Sequence, residues 1–269
     1  MDVYEKKQAL AEYIKSLESV AVAFSAGVDS TFLLKVAHDV LKDNAVAFTV
    51  RSSTFPEREN AEAESFCKVE GIRQVVIDFD ELSIKGFADN PKNRCYLCKK
   101  GIFGRIIEKA KNMGLKYVLE GSNLDDEGDY RPGLIAIKEL GVLSPLRKFG
   151  LTKAEIRLLS KQTGLKTYDK PSFACLASRV PYGDKITAEK LKMIEKAERF
   201  LFDAGFGQVR VRTHGKLARI EILPEQFEKF FTGGFDKKAD EYFKSLGYDY
   251  VCLDLGGYKT GNLNKGIEK

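Results

Sequence analysis

Phe24-Ser25-Ala26-Gly27-Val28-Asp29-Ser30 follows an apolar run, Val20 to Phe24, and leads into an amphipathic run, Thr31 to Leu41. A strand that breaks into a small-residue loop and then starts a helix is a phosphate-binding design. The loop offers backbone N–H groups, and the helix N-terminus adds about half a positive charge. Gly27 lets the backbone approach an anion closely. Ser25 and Ser30 add hydroxyl donors. Asp29 repels anions, so its place in a phosphate cradle makes sense if a Mg²⁺ ion sits between it and the phosphates. The plainer reading is that Asp29 or Ser30 caps a helix. Four fixed positions between a buried-looking strand and a helix favour the nucleotide-phosphate site. The sequence contains no G-x-x-x-x-G-K-[ST], so transfer of a γ-phosphate is not suggested.

The motif resembles the PP-loop of ATP pyrophosphatases, whose usual form is S-G-G-x-D-S. The resemblance implies cleavage of ATP to AMP and pyrophosphate. Here Ala26 replaces the first glycine. That departure matters only if the position needs a positive φ.

Working outward, residues 1–17 carry helical spacing, and Ala45–Val50 reads as a second strand. Its end, at Ser52, is where a parallel sheet meets a ligand. Pro56 to Val69 is a helix, Gln74–Phe79 a strand, 81–94 irregular, Cys95–Met113 a helix and Tyr117–Leu119 a strand. Val142–Leu146 reads as a short fifth strand. Thr152–Thr163 is a helix with Thr152 and Glu155 as its capping box. This alternation predicts an α/β fold, a doubly wound parallel sheet. Residues 164–186 lose the rhythm. A smaller α+β domain follows, with a helix over 187–204, a hairpin of Gln208–Arg212 and Leu217–Ile222 joined at His214-Gly215, a helix over 235–246 and a strand over 250–254. The expected division is 1–183, 184–256, and a Gly-, Asn- and Lys-rich flexible tail, 257–269.

The net charge of +5 over 269 residues fits a site for anionic small molecules and does not demand nucleic acid. No apolar run reaches 18 residues, and the first residues lack a signal-peptide core. A cytoplasmic protein is expected. Five cysteines are an odd number for a disulfide framework. Cys67 and Cys252 sit in apolar surroundings and read as core. Cys95 and Cys98 form a CxxC at a helix start, and by themselves suit metal, redox or structural use. Cys175 lies in a loop beside Lys170 and Arg179, cations that favour a thiolate. Three cysteines, 95, 98 and 175, have the donor count for three irons of a cubane cluster with the fourth iron open.

Gly121-Ser122-Asn123-Leu124-Asp125-Asp126 follows the fourth strand on the same sheet edge as Ser25. Its carboxylates can bind Mg²⁺ or simply hold a turn. Arg131 is a candidate partner for a carboxylate or phosphate. Arg210 and Arg212 alternate on a strand and share a face, which is either solvated or holds an anion. His214 reads as a turn residue.

These blocks together, with Cys175-Leu176-Ala177-Ser178-Arg179 and Pro181-Tyr182-Gly183, resemble the LarE family of ATP-dependent sulfur transferases. The resemblance runs from residue 20 to about 255 and is most specific at the Cys-Leu-Ala-Ser-Arg block. It implies a PP-loop domain followed by a small domain, in homo-oligomers, trimers or hexamers. It implies adenylylation of a carboxylate of pyridinium-3,5-dicarboxylate mononucleotide and its replacement by a thiocarboxylate, in nickel-pincer cofactor synthesis for lactate racemase.

ATP and pyrophosphate would then lie on Ser25, Ala26, Gly27, Val28, Asp29, Ser30, Ser52, Gly121, Asp125 and Arg131, with Mg²⁺ at Asp29. The substrate phosphate would lie on Ser178, Arg179, Arg210 and Arg212, and Cys175 would handle sulfur. In one branch of the family the matching cysteine gives up its own sulfur. In the other, a [4Fe-4S] cluster on a CxxC and that cysteine carries sulfide from a separate donor. Cys95 and Cys98 place this chain with the second. A tRNA-thiolating enzyme, an amide-forming ligase and a non-catalytic ATP-binding regulator are the competing readings.

Overall fold

Strands β1 (Val20–Ala23) and β2 (Ala45–Arg51) alternate their side chains between two cores, and this alternation builds the first part of the molecule. Val20, Val22, Ala45 and Ala47 enter one core; Ala21, Val46 and Phe48 enter the other. Both faces of the sheet are therefore covered, as a parallel sheet requires. The computed structural model describes residues 1–126, 132–171, 174–259 and 262–263.

The chain forms two compact units, Met1–Asp80 with Asn93–Phe173, and Glu81–Lys92 with Ala174–Lys269. The first contains a four-stranded sheet in the order β3-β2-β1-β4, with β3 at Gln74–Asp78 and β4 at Tyr117–Leu119. Every pairing in it is parallel. One face is packed by α1 (Val3–Ser16), α2 (Val28–Leu41), α3 (Glu57–Glu70) and α7 (Lys153–Gln162). The other is packed by α4 (Arg94–Asn112) and α5 (Pro132–Glu139). Val20, Val22, Phe32 and Leu33 are fully buried. Each such side chain contributes about 1.5–3 kcal/mol relative to exposure. The doubly wound α/β expectation holds.

The fifth strand expected over Val142–Leu146 is replaced by a single bridge, Leu119 to Leu143, and a helical turn, α6 (Pro145–Lys148). Pro145 has no N–H for a sheet ladder and a φ suited to the first helical position. The Thr152 capping box on α7 is present: Thr152 Oγ1 accepts the Glu155 N–H, and Glu155 accepts the Thr152 N–H.

In the second unit, β5 (Val209–His214) pairs antiparallel with β6 (Leu217–Ile222), and β6 pairs parallel with β7 (Tyr250–Leu253). Helices α8 (Ala188–Asp203), α9 (Phe227–Phe231) and α10 (Phe235–Ser245) complete it. Val209 and Val211 enter its core with Leu201, Phe206 and Phe243. Asn90 ties Glu81–Lys92 into this unit, donating to the carbonyls of Val180 and Pro181 and accepting the Gly183 N–H. Of the 257–269 tail, 257–259 and 262–263 are described. There Tyr258 N–H reaches the Ile222 carbonyl at 2.8 Å, and Asn262 reaches Glu221 at 3.2 Å.

Candidate functional site

The Ser25–Ser30 loop leaves β1 at the C-terminal edge of the sheet and enters α2. The chain runs outward from β1 to β2 and β3, then returns to place β4 on the other side of β1. This reversal of strand order opens a crevice where α/β folds hold ligands. Gly27 is the N-cap of α2, and no side chain caps the helix. Its first amides are therefore left for an anion. Ser30 Oγ donates to the Gly27 carbonyl at 3.2 Å and lies 3.3 Å from Ser25 Oγ. Ala26 has φ of +53°, in the left-handed region. The departure from glycine thus falls at a position that needs a positive φ. Gly27 itself has φ of −77°.

Gly121 is present for a close approach. A Cβ there would meet Ser30 N at 3.0 Å and the Asp29 carbonyl carbon at 3.3 Å. The β4 loop consequently lies against the first turn of α2. It is held there by buried Glu120, which accepts from the Ser122 hydroxyl at 2.7 Å and from the Ser144 hydroxyl.

Asp29 Oδ2 accepts from Lys153 Nζ at 2.5 Å, and Oδ1 from Asn123 Nδ2 at 3.3 Å. Asp125 accepts the Lys153 backbone N–H at 2.8 Å. Asp29, Gly121, Asn123, Asp125 and Lys153 therefore form one cluster. Lys153 supplies the cation that Asp29 calls for, and a Mg²⁺ ion on Asp29 would share or displace it. Ser52, just past β2, lies 3.1 Å from the Thr54 hydroxyl. Arg131 lies outside the described residues.

Cys95 and Cys98 are the second and fifth residues of α4, three residues apart and half-buried. That spacing puts both sulfurs on one helix face. The donor chemistry suits a cluster. Cys175 belongs to the second unit. Among the described residues, no three Asp, Glu, His or Cys side chains gather closely enough to hold a metal ion. Cys67 is in the core, and burial pushes its thiol up to about 12. Burial also raises the Cys252 thiol on β7.

In the second unit, Arg179 is fully buried. It meets Glu198 of α8 at two points, 2.8 Å each, and donates to the carbonyls of Ala174 and Cys175 at 2.5 and 2.9 Å. It also donates to the Ser178 hydroxyl at 3.1 Å. Burial alone would weaken its charge, but Glu198 outweighs burial and holds its pKa above the ordinary value. Arg212 forks onto Glu221 at 2.7 and 3.0 Å and donates to the Ser178 carbonyl at 2.9 Å. Arg210 lies over the Tyr258 ring, 5.2 Å from its centre. Burial, then repulsion by Arg179, lowers its pKa to about 10. Arg210 and Arg212 do share a face of β5, and that face is buried. Concentrating positive charge out of water is costly, and an anion relieves that cost.

Lys153, Glu198 and Glu221 escaped the sequence reading. Lys153 had a signal: a lysine in the first turn of a helix opposes the dipole. Glu198 also had one, since it falls on the stripe of Leu191, Ile194 and Leu201.

No protein-family model matches the chain. It is 37% identical over 265 residues to the pyridinium-3,5-bisthiocarboxylic acid mononucleotide synthase of Lactiplantibacillus plantarum, covering 98% of this chain and 95% of that protein. It is 40% identical over 264 residues to the uncharacterized protein slr1717 of Synechocystis sp., covering 98% of each. A more distant likeness, 27% over 189 residues, reaches one of the subunits of the glutamine-hydrolysing GMP synthase of Thermoplasma volcanium, covering 64% of this chain and 60% of that one. The parallel sheet with its phosphate loop, and a likeness to the synthase that runs through both units, establish that this chain belongs to the LarE family of the PP-loop superfamily.

Proposed function

We propose that this protein is an ATP-dependent sulfur transferase that converts pyridinium-3,5-dicarboxylate mononucleotide to its thiocarboxylate. The observation that carries the reading is the likeness to the synthase, which extends over both the Ser25 loop and the Cys175 loop. A substrate carboxylate oxygen attacks the α-phosphorus of ATP and pyrophosphate leaves. The acyl-adenylate then takes sulfide at its carbonyl carbon, and AMP leaves with the former carboxylate oxygen.

Residues of 1–183 carry the activation. The amides of Gly27 to Ser30 hold the pyrophosphate, and Ser25, Ser52, Gly121, Asp125 and Arg131 frame the nucleotide. Asp29 is the Mg²⁺ ligand, with Lys153 close by to offset the leaving charge. Mg²⁺ would neutralise the departing pyrophosphate. Ser178, Arg179, Arg210 and Arg212 hold the substrate phosphate, chiefly through Arg210 and Arg212, because Arg179 is engaged with Glu198 and the Cys175 loop. Positioning of this kind supplies much of the rate in two-substrate reactions. Cys95, Cys98 and Cys175 hold a [4Fe-4S] cluster, which would supply bound sulfide.

The test is pyrophosphate release with and without added pyridinium dicarboxylate mononucleotide. Release that depends on the substrate supports the reading. ATP binding with no release is the result of a regulator, and release stimulated by tRNA is that of a tRNA-thiolating enzyme.

A further inference from the structure

Lys170 lies in the first unit, and its side chain is 12% exposed. Its ammonium does not stand free as a phosphate ligand. It donates to Glu59 at 2.7 Å and to Glu62 at 2.5 Å, both on α3, and to the backbone carbonyl of Ala26 at 3.0 Å. The backbone at Lys170 is itself anchored. Arg157 of α7 donates to the carbonyls of Tyr168 and Lys170 at 2.6 and 2.8 Å, and the Lys170 N–H reaches the Thr167 carbonyl at 3.0 Å.

The carbonyl it grips belongs to the residue in the left-handed conformation, Ala26 at φ of +53°. A Cβ makes that region unfavourable, so something must hold Ala26 there. A trans peptide points its C=O and its N–H in opposite directions. Fixing the Ala26 carbonyl on Lys170 therefore turns the Gly27 N–H the other way. That N–H precedes the uncapped first turn of α2, whose amides face the anion site.

We propose that Lys170 is a positioning residue for the phosphate loop. It holds Ala26 left-handed and so aims the Gly27 amide at the phosphates. Glu59 and Glu62 aim the ammonium and cancel its charge. The inference rests on the reading of Ser25–Ser30 as the ATP site. In a chain with glycine at position 26 the same conformation would need no such clamp. Alanine makes Lys170 necessary.

The test is a rescue, read by calorimetric binding of Mg-ATP to the full-length protein and three variants, each checked for folding by thermal melting. Wild type binds. Lys170→Met weakens binding about tenfold, the scale set by the disfavoured left-handed region for a residue with a Cβ. Ala26→Gly alone sets the reference affinity for the double variant, because glycine enters that region without a clamp. The double variant, K170M with A26G, recovers most of the lost affinity. K170M binding as wild type overturns the proposal, and so does a double variant as weak as K170M. Should K170M not fold, Lys170→Gln replaces it with the same expectations. If wild type itself binds no ATP, the reading of the loop fails as well, and the wild-type arm identifies that failure.

Discussion

Arg179 and Glu198 meet at two hydrogen bonds of 2.8 Å, with the guanidinium fully out of water. The remaining nitrogen of that guanidinium, Nη1, holds two successive backbone carbonyls, those of Ala174 and Cys175. Glu198 also accepts the Val211 N–H at 2.9 Å. One ion pair therefore fastens the Cys175 loop, α8 and β5 together. Glu198→Gln leaves Arg179 buried without its counter-charge and is expected to cost about 3–5 kcal/mol. Urea unfolding measures this. Arg179→Lys keeps the charge but loses the fork, so it too destabilises the unit.

Lys153 and Asp29 carry the second prediction. Lys153→Ala removes the ammonium that pairs with Asp29 at the proposed pyrophosphate site. The Michaelis constant for ATP is expected to rise roughly tenfold to a hundredfold, matching about 1.5–3 kcal/mol for a charged hydrogen bond. Raising Mg²⁺ should recover part of the loss. Steady-state kinetics across a Mg²⁺ series checks both effects.

Gly121 tests the close approach of the β4 loop to α2. Gly121→Ala drives a methyl to 3.0 Å from Ser30 N, against backbone that has little room to move. Overpacking of this kind costs about 1–3 kcal/mol. The melting temperature should fall and ATP binding should weaken, since the displaced backbone is that of Asp29 and Ser30.

His214 gives a pH prediction. His214 ends β5 at the exposed surface, where partial desolvation lowers its pKa from the usual value and Arg219 adds to the effect. The unfolded chain therefore takes up a proton more readily than the folded one. Stability from this residue is fully present above about 6.5, the unfolded value, and is lost as pH falls through the lower folded value. His214→Gln should flatten that part of the acid limb in denaturation measured from pH 7.5 to 5.

The four parallel strands were legible because Val20–Phe24 and Ala45–Val50 are apolar runs broken by turn residues, and such runs need only local reading. The Ser25 loop was legible for the same reason. Val142–Leu146 misled because its apolar residues fit a strand, while Pro145 decided for a helical turn. The positive φ at Ala26 could not be read, because alanine gives no sign of it. Nor could the packing of Glu81–Lys92 with Ala174–Lys269, which depends on Asn90 meeting Val180 and Pro181, ninety residues on. Arg210 and Arg212 were visible as a pair, but their burial was not, since it depends on Glu221 across the ladder and on Ser178.

The central claim is sulfur transfer to an adenylylated carboxylate, and one measurement meets it most directly. Anaerobically purified protein is given Mg-ATP, sulfide and pyridinium-3,5-dicarboxylate mononucleotide, and product mass, AMP, iron content and intact protein mass are recorded before and after turnover. The account predicts a thiocarboxylate formed in step with AMP, iron bound in wild type and lost in Cys95→Ala, and an unchanged protein mass. AMP without a thiocarboxylate contradicts the transfer itself. A protein that contains no iron and becomes lighter by one sulfur at Cys175 contradicts the cluster and assigns the sulfur to that cysteine.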